Sequence, residues 1–307
     1  RQNFATTNKY HGLFVKRGET GGLFGLFFDP DKCKGCGECV TVCGSHNALR
    51  MVAKSAIDLS RYDLGMDLFH HLPETPAHFL NEKSLGDMML AGRSQLFIGG
   101  AGSCMGCGEA TEVRLMLAAT GFVYGPDQIG IVAATGCNTV FGSTYPYNPY
   151  AIPWTNSLFE NAPADAMGIR MRWDQQGHQK RRLWVLGGDG AMYDIGFQSL
   201  SRMLMSGMDI KVLVLDTQVY SNTGGQTSTA TFTGQDAKMS AFGKAQPGKR
   251  ELRKEIAQIL IMHPHVFVAQ TTAAHINHFY KAVLAANEYP GPAVVVWRTR
   301  QSPRRSA

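Results

Sequence analysis

The sequence predicts an α/β fold: a doubly wound, mainly parallel sheet preceded by a small cysteine-rich segment. Three observations predict it. From Phe97 onward, short apolar runs alternate with helix-like stretches. One such run ends in Gly187-Gly188-Asp189-Gly190 and is followed by a helix and a second strand, a βαβ unit. Ahead of all this, four cysteines crowd into Cys33 to Cys43.

The βαβ unit organises the rest. Its first strand is Leu183 to Leu186, its helix roughly Gly196 to Met205, and its second strand Ile210 to Leu215, ending in Asp216-Thr217. In an open parallel sheet both strand ends face the crevice where ligands bind. Gly187, Gly188 and Gly190 let backbone approach a ligand and offer N–H groups to phosphate oxygens. A carboxylate beside a diphosphate needs a cation between them, and Mg²⁺ shares oxygen ligands with phosphates. Asp189 and Thr217 are therefore expected to form a metal–diphosphate clamp, with Ser221-Asn222-Thr223-Gly224-Gly225 following. A tight strand–helix turn with a capping aspartate is the plainer alternative.

Composition bounds the rest. The 307 residues suffice for one large domain or two modest ones, and 44% hydrophobic with 18% charged residues is an ordinary globular profile. Without a signal peptide or an apolar run of bilayer length, a soluble, intracellular protein is expected, cytoplasmic and off the membrane. The net charge of +6 is mild and dispersed, apart from four arginines between Arg298 and Arg305. It suits an acidic protein partner and is no nucleic-acid footprint. The seven cysteines fall into two groups, 33, 36, 39 and 43, then 104, 107 and 137. Such close spacings in a reducing compartment argue for metal ligation rather than disulfides.

In chain order, residues 1–53 are expected to form an incomplete ferredoxin-like iron–sulfur segment, 54–96 a connecting region, and 97–307 the main domain. Cys33, Cys36, Cys39 and Cys43 follow the C-x₂-C-x₂-C-x₃-C spacing of bacterial ferredoxins. Gly35 and Gly37 suit the cramped turns of a loop that aims several thiolates at one cube; a zinc knot is the alternative. In two-cluster ferredoxins the fourth cysteine of such a run serves the other cluster, so Cys43 belongs either to this cluster or to a second one. Gly44 stands where a proline is usual. His70 and His71 read as surface or packing residues.

The main domain opens on a glycine-rich loop, Gly99 to Glu109, that carries Cys104-Met105-Gly106-Cys107. A helix over Val113–Ala119 and a strand over Ile129–Ala133 follow, then Thr135-Gly136-Cys137-Asn138. Cys104, Cys107 and Cys137 are candidates for three ligands of another cluster; free thiols, zinc or a redox dithiol also fit. Residues 145–160, rich in proline and aromatics, read as an ordered loop that serves mostly packing, with Asn156 and Ser157 as candidates to face the ligand. Gly224 to Gly248 is a polar loop whose length marks it as functional. A helix over Glu251–Ile261, a strand over Val266–Gln270, a helix over Ala273–Ala286 and a strand over Ala293–Trp297 complete the alternation.

The runs CKGCGECVTVC, GAGSCMGCGEA, ATGCN, PWTNSLFE, GGDGAMYDIG and LDTQVYSNTGGQTSTAT, in this order, resemble the carboxyl-terminal part of the pyruvate:ferredoxin and other 2-oxoacid:ferredoxin oxidoreductases. The resemblance spans roughly residues 25–297. It implies a thiamine-diphosphate-binding fold, with thiamine diphosphate, Mg²⁺ and [4Fe–4S] clusters as cofactors. It assigns the metal to Asp189, Thr217 and the carbonyl of Val219, the diphosphate region to Gly188 and Gly190, and a substrate contact to Asn222. Cys104, Cys107 and Cys137 match three ligands of the cluster nearest the thiamine. Threonine at 217, where many other thiamine enzymes carry asparagine, keeps an oxygen ligand.

The implied reaction is oxidative decarboxylation of a 2-oxoacid. Coenzyme A takes the acyl group, and the clusters pass electrons to ferredoxin or flavodoxin. Pyruvate is the first candidate substrate, 2-oxoglutarate or another 2-oxoacid the second.

The sequence departs from the family in three ways. No cysteine stands around Arg300 to Pro303, where the fourth ligand of the nearest cluster is expected. An earlier ferredoxin run is absent. The glutamate that activates the aminopyrimidine comes from elsewhere in this family, and Glu109 is a poor substitute. Other subunits or domains of the same oxidoreductase are therefore expected to supply that glutamate, most of the substrate pocket and the remaining cluster ligands, and this chain is not expected to act alone. A non-redox thiamine enzyme would explain the GDG turn but not the grouped cysteines. An electron-transfer or assembly subunit would explain the cysteines but not a bound thiamine.

Overall fold

Six short strands pair side by side in one parallel sheet in the computed structural model, which describes residues 4–33, 35–97, 103–104, 106–142, 149–240 and 248–298. Outside the described residues lie the glycine loop 99–102, the start of the 145–160 loop, positions 241–247 of the long polar loop, and the tail beyond Arg298. The chain divides into two compact units, residues 1–92 with 104–106, and 93–103 with 107–307.

In the first unit, β1 (Phe4–Ala5) pairs antiparallel with β2 (Phe24–Gly25). Four short helices accompany them: α1 (Leu13–Lys16), α2 (Glu38–Cys43), α3 (Ser60–His71) and α4 (Leu85–Met88). Ring contacts join the segments, Phe4 to Phe27 at 5.6 Å and Phe27 to Phe69 at 5.4 Å between centroids. Asp87 of α4 is buried and receives Lys9 and the hydroxyl of Tyr10, the latter at 2.7 Å. His70 and His71 are exposed at the end of α3.

The second unit carries β3 (Ile129–Ala134), β4 (Trp154–Ser157), β5 (Arg182–Gly188), β6 (Lys211–Asp216), β7 (Phe267–Thr272) and β8 (Ala293–Arg298). They lie in the order β4-β3-β5-β6-β8-β7, and each neighbouring pair is parallel. Its helices are α5 (Gly108–Tyr124), α6 (Cys137–Gly142), α7 (Ala162–Gln175), α8 (Asp189–Tyr193), α9 (Phe197–Met205), α10 (Ile256–Ile261) and α11 (Ile276–Glu288). A parallel sheet covered on both faces needs apolar residues at consecutive positions, and β3 and β6 are buried at every residue. Alternate side chains divide between the faces. Val132, Val185, Val212 and Val294 pack under α7 to α10. On the other face Trp297 meets Phe279 of α11 edge-on at 4.2 Å, and Trp184 Nε1 donates to Asn287 Oδ1 at 3.1 Å. Asn287 Nδ2 in turn donates to Thr120 Oγ1 of α5 at 3.0 Å, so the polar atoms of this face satisfy one another.

The order of the strands sets the site. From β3 the chain goes outward to β4, and from β5 it goes the other way to β6. The carboxyl ends of β3 and β5 therefore flank the point where the sheet's winding reverses, which is where open α/β sheets leave a crevice.

Four boundaries differ from the sequence reading. The segment 145–160 contains strand β4, parallel to β3, at an edge where Thr155 and Asn156 remain exposed and no apolar alternation marks it. Helix α7 buries only Ala162, Pro163, Ala166 and Arg170, too few apolar positions to show a stripe. Helix α5 is longer than Val113–Ala119, and α10 begins at Ile256 rather than Glu251. The residues before α10 are drawn out of the helix by ionic partners: Arg253 meets Asp216, and Lys254 meets the Tyr193 carbonyl.

Candidate functional site

A cavity of about 310 Å³ opens at the carboxyl ends of β3, β5 and β6. Its wall takes Thr135 to Asn138 from the turn after β3, Gly188 to Ala191 after β5, Thr217 and Val219 to Thr223 after β6, and Glu109, Phe159 and Ile195. The sequence-assigned residues Gly188, Asp189, Gly190, Thr217, Val219 and Asn222 thus meet in one place. Gly187 lies just below. A Cβ there would come within 2.5 Å of the Met192 methyl and 3.0 Å of the Ala191 Cβ, so any larger residue would have to displace the Met192 side chain.

Asp189 is the buried centre of the cavity floor. Its Oδ1 accepts the Thr217 amide N–H at 3.1 Å, and its Oδ2 accepts the Ser228 hydroxyl at 2.7 Å. The Thr217 hydroxyl donates to the Val219 carbonyl at 2.9 Å and accepts from Ser221 Oγ at 2.8 Å. Gln218 holds the left-handed conformation, φ 68°, which folds Val219 back toward Thr217. A carboxylate, a hydroxyl and a carbonyl gathered this closely form an all-oxygen donor set, the kind Mg²⁺ prefers. Burial, then the charge of Asp216, pushes the Asp189 carboxyl well above the usual range. A divalent cation would remove that penalty, so the residues present fit the metal.

Asp216, one residue before Thr217, does not line the cavity. It is buried against Arg253, accepts the Tyr193 hydroxyl at 2.8 Å, and has Arg298 at 3.5 Å, its cross-strand partner on β8. It is a structural anion beneath the site. Asn156 and Ser157 do not reach the cavity either. Asn156 Nδ2 donates to Ala133 O at 2.8 Å and to Thr139 Oγ1 at 2.7 Å, bracing β4 on β3. Phe159, two residues further on, takes the place in the wall.

Cys107 caps the start of α5 and its Sγ accepts the Ala110 amide at 3.4 Å. Cys137 opens α6, lines the cavity, and hydrogen-bonds the Glu109 carboxyl. Burial pushes that carboxyl up to about 8, and the Cys137 contact partly offsets it. Glu109 therefore sits much nearer the cavity than its place in the cysteine loop suggested. Cys33, Cys36, Cys39 and Cys43 lie in and before α2, where Gly35, Gly37 and Gly44 have φ of 73°, 75° and 51°. Cys43 Sγ accepts the Ala48 amide at 3.2 Å. The donors are soft thiols and the turns suit a loop wrapped around a cluster. Among the described residues no cysteine is in a disulfide, and no three His, Cys, Asp or Glu side chains stand together as a metal would gather them.

The sequence missed Ser228, which holds Asp189 from near the start of the polar loop. The length of that loop was the available signal.

Comparison with known proteins fits this geometry. The family of thiamine pyrophosphate enzymes, C-terminal TPP binding domain, matches residues 134–297. The chain belongs to the thiamine pyrophosphate enzymes. A 4Fe-4S binding domain matches residues 27–49 of this thiamine pyrophosphate enzyme, across its cysteine run. Its relatives include a probable pyruvate-flavodoxin oxidoreductase of Escherichia coli (strain K12), 30% identical over 93% of this chain and 29% of that one. Pyruvate synthase subunit PorB of Pyrococcus furiosus is 36% identical over 64% of this chain and 60% of its own. The chain thus spans about 29% of the pyruvate-flavodoxin oxidoreductase and 60% of the PorB subunit. Among solved structures, 2-oxoglutarate:ferredoxin oxidoreductase from Magnetococcus marinus shares the fold at a TM-score of 0.55 and 19% identity, over 65% of this chain and 64% of that one. No helix among the described residues is long and apolar enough to cross a membrane.

Proposed function

We propose that this chain is the thiamine-diphosphate-binding and iron–sulfur part of a 2-oxoacid:ferredoxin oxidoreductase acting on pyruvate first. The observation that carries this is the oxygen set of Asp189, Thr217 and Val219 at the point where the sheet reverses, in a chain that also holds a ferredoxin-type cysteine run. Thiamine diphosphate, when bound, supplies the electron sink that lets a 2-oxoacid lose CO₂. Asp189, Thr217 and the Val219 carbonyl would hold Mg²⁺ on the diphosphate, Gly188 and Gly190 would give the phosphates backbone N–H groups, and Phe159 supplies an apolar part of the wall. Asn222, exposed at the rim, contacts the substrate.

Residues 1–53 form the iron–sulfur segment, with Cys33, Cys36, Cys39 and Cys43 on one [4Fe–4S] cluster. Residues 54–96 connect it to the thiamine domain, 97–307. Cys104, Cys107 and Cys137 supply three ligands to a second cluster. The names of the relatives support pyruvate and a ferredoxin or flavodoxin acceptor, and the PorB name supports assembly with other subunits. Those partners complete the substrate pocket, coenzyme A takes the acyl group, and a reducing cytoplasm keeps the seven cysteines out of disulfides.

Iron, acid-labile sulfide and thiamine diphosphate are to be measured per chain in anaerobically purified protein. About eight irons with thiamine present fit two cubane clusters and support the reading. Iron without thiamine overturns it and leaves an electron-transfer subunit.

A further inference from the structure

Two cations collect four consecutive backbone carbonyls beside the site. Lys249 Nζ donates to the carbonyls of Ser228 at 2.9 Å, Thr229 at 3.3 Å and Thr231 at 2.9 Å. Arg253 Nη1 donates to the carbonyl of Ala230 at 2.7 Å. Lys249 is 6% exposed and the Arg253 side chain 4%, so neither charge is dissolved in water. With its acceptors turned to the cations, the 228–231 turn presents its donors elsewhere. Ser228 Oγ reaches Asp189, the Thr229 amide and hydroxyl reach Asp194, and Thr231 Oγ1 reaches the Gln218 carbonyl at 2.5 Å. The other side of the Arg253 fork pairs with Asp216, which immediately precedes Thr217, and donates to Tyr193 Oη at 3.2 Å.

One guanidinium therefore ties together both arms that grip Asp189: the Thr217 arm through Asp216, and the Ser228 arm through Ala230. A planar fork with separate donors makes such a double contact, which a lysine ammonium cannot reproduce. Lys249 itself is delivered by a close backbone approach. Its amide donates to Gln235 O at 3.0 Å and its carbonyl accepts from Gly234 at 2.7 Å.

We propose that Lys249 and Arg253 are positioning residues for the divalent cation: by holding the 228–231 turn and the residue before Thr217, they fix the orientation of the Asp189 carboxylate and the Thr217 hydroxyl. This rests on the reading that Asp189, Thr217 and Val219 hold that cation. Neither cation lines the cavity, so both act through Ser228 and Asp216.

The test uses the full chain in the assembly in which it purifies, with Mn²⁺ as the probe. Free Mn²⁺ is followed by its EPR signal in the presence of thiamine diphosphate, and melting of the metal-free protein is recorded in parallel. Arg253→Lys and Lys249→Met are expected to weaken Mn²⁺ binding about 10–100-fold, the usual cost of losing a residue that orients a metal ligand. Ser228→Ala is expected to weaken it in the same direction. It leaves both cations and the buried ion pair in place, so it reports even where the other two variants do not fold. Arg250→Ala, on the exposed side of the same segment, is expected to bind as the parent does. A parent protein that takes up no Mn²⁺ with thiamine diphosphate overturns the clamp itself. A parent that binds, with Arg253→Lys and Ser228→Ala binding equally well, overturns the positioning role alone.

Discussion

The amide of Thr217 donates to Asp189 Oδ1 at 3.1 Å, so the acid just after β5 is oriented by the first residue beyond β6. The two halves of the clamp are fixed on each other by backbone before any cation arrives. Replacing Asp189 by Asn keeps an acceptor for that amide but removes the charge. The expected outcome is a folded chain, unchanged in circular dichroism, that has lost Mg²⁺-dependent thiamine diphosphate binding by more than the ~100-fold expected of a supporting residue. Isothermal titration with and without Mg²⁺ checks it.

Glu112 carries a pH signature. It lies fully buried in α5, and neither carboxyl oxygen has a hydrogen-bond partner among the described residues. Burial, then the charge of Glu109, raises its pKa well above 4.5. The folded chain therefore keeps a proton that the unfolded chain releases above that pH. Stability falls as pH rises from there toward the folded pKa, by about 1.4 kcal/mol per pH unit from this group. Glu112→Gln is expected to flatten that decline, read from urea midpoints between about pH 5 and about pH 8.

Asn287 is the middle of a buried chain of donors and acceptors, Trp184 to Asn287 to Thr120. Asn287→Ala strands the Trp184 N–H in an apolar layer. The expected loss is about 1–3 kcal/mol of unfolding free energy, with no effect on thiamine diphosphate affinity beyond that loss.

Gly248, φ 89°, packs its α-carbon against the Gly234 carbonyl, and a Cβ there would come within 2.4 Å of that oxygen. Gly248→Ala is expected to spread the two backbone segments and lift Lys249 from its carbonyls. Faster limited proteolysis between residues 226 and 254, with weaker thiamine diphosphate binding, is the measurable result.

Cys39→Ser is expected to remove the iron of one cluster, about four atoms, while leaving thiamine diphosphate bound. Loss of both together would mean that the two sites do not load independently.

Much of this was legible in the sequence, for reasons particular residues make plain. Val212 to Leu215 sit in a sheet covered on both faces, so the whole run had to be apolar and stood out. Asp189 and Thr217 were legible because each immediately follows a strand. Strand β4 was not, since an edge strand with Thr155 and Asn156 in solvent has no buried alternation to display. Ser228 was not, because what makes it important is contact with a residue far back in the chain. The 251–255 segment looked helical on local propensity, and partners distant in sequence overrode it.

The pairing of β6 with β8 has a consequence in time. Asp216 faces Arg298 across those strands, yet the chain must pass through the polar loop, α10, β7 and α11 before Arg298 is made. Contacts between residues so far apart close late in folding, because the intervening chain has to be ordered first. The neighbour of Thr217 therefore receives its last partner near the end of the process. Competence to take up the cation is expected to appear as a slow final phase in refolding, after the bulk of helix has formed.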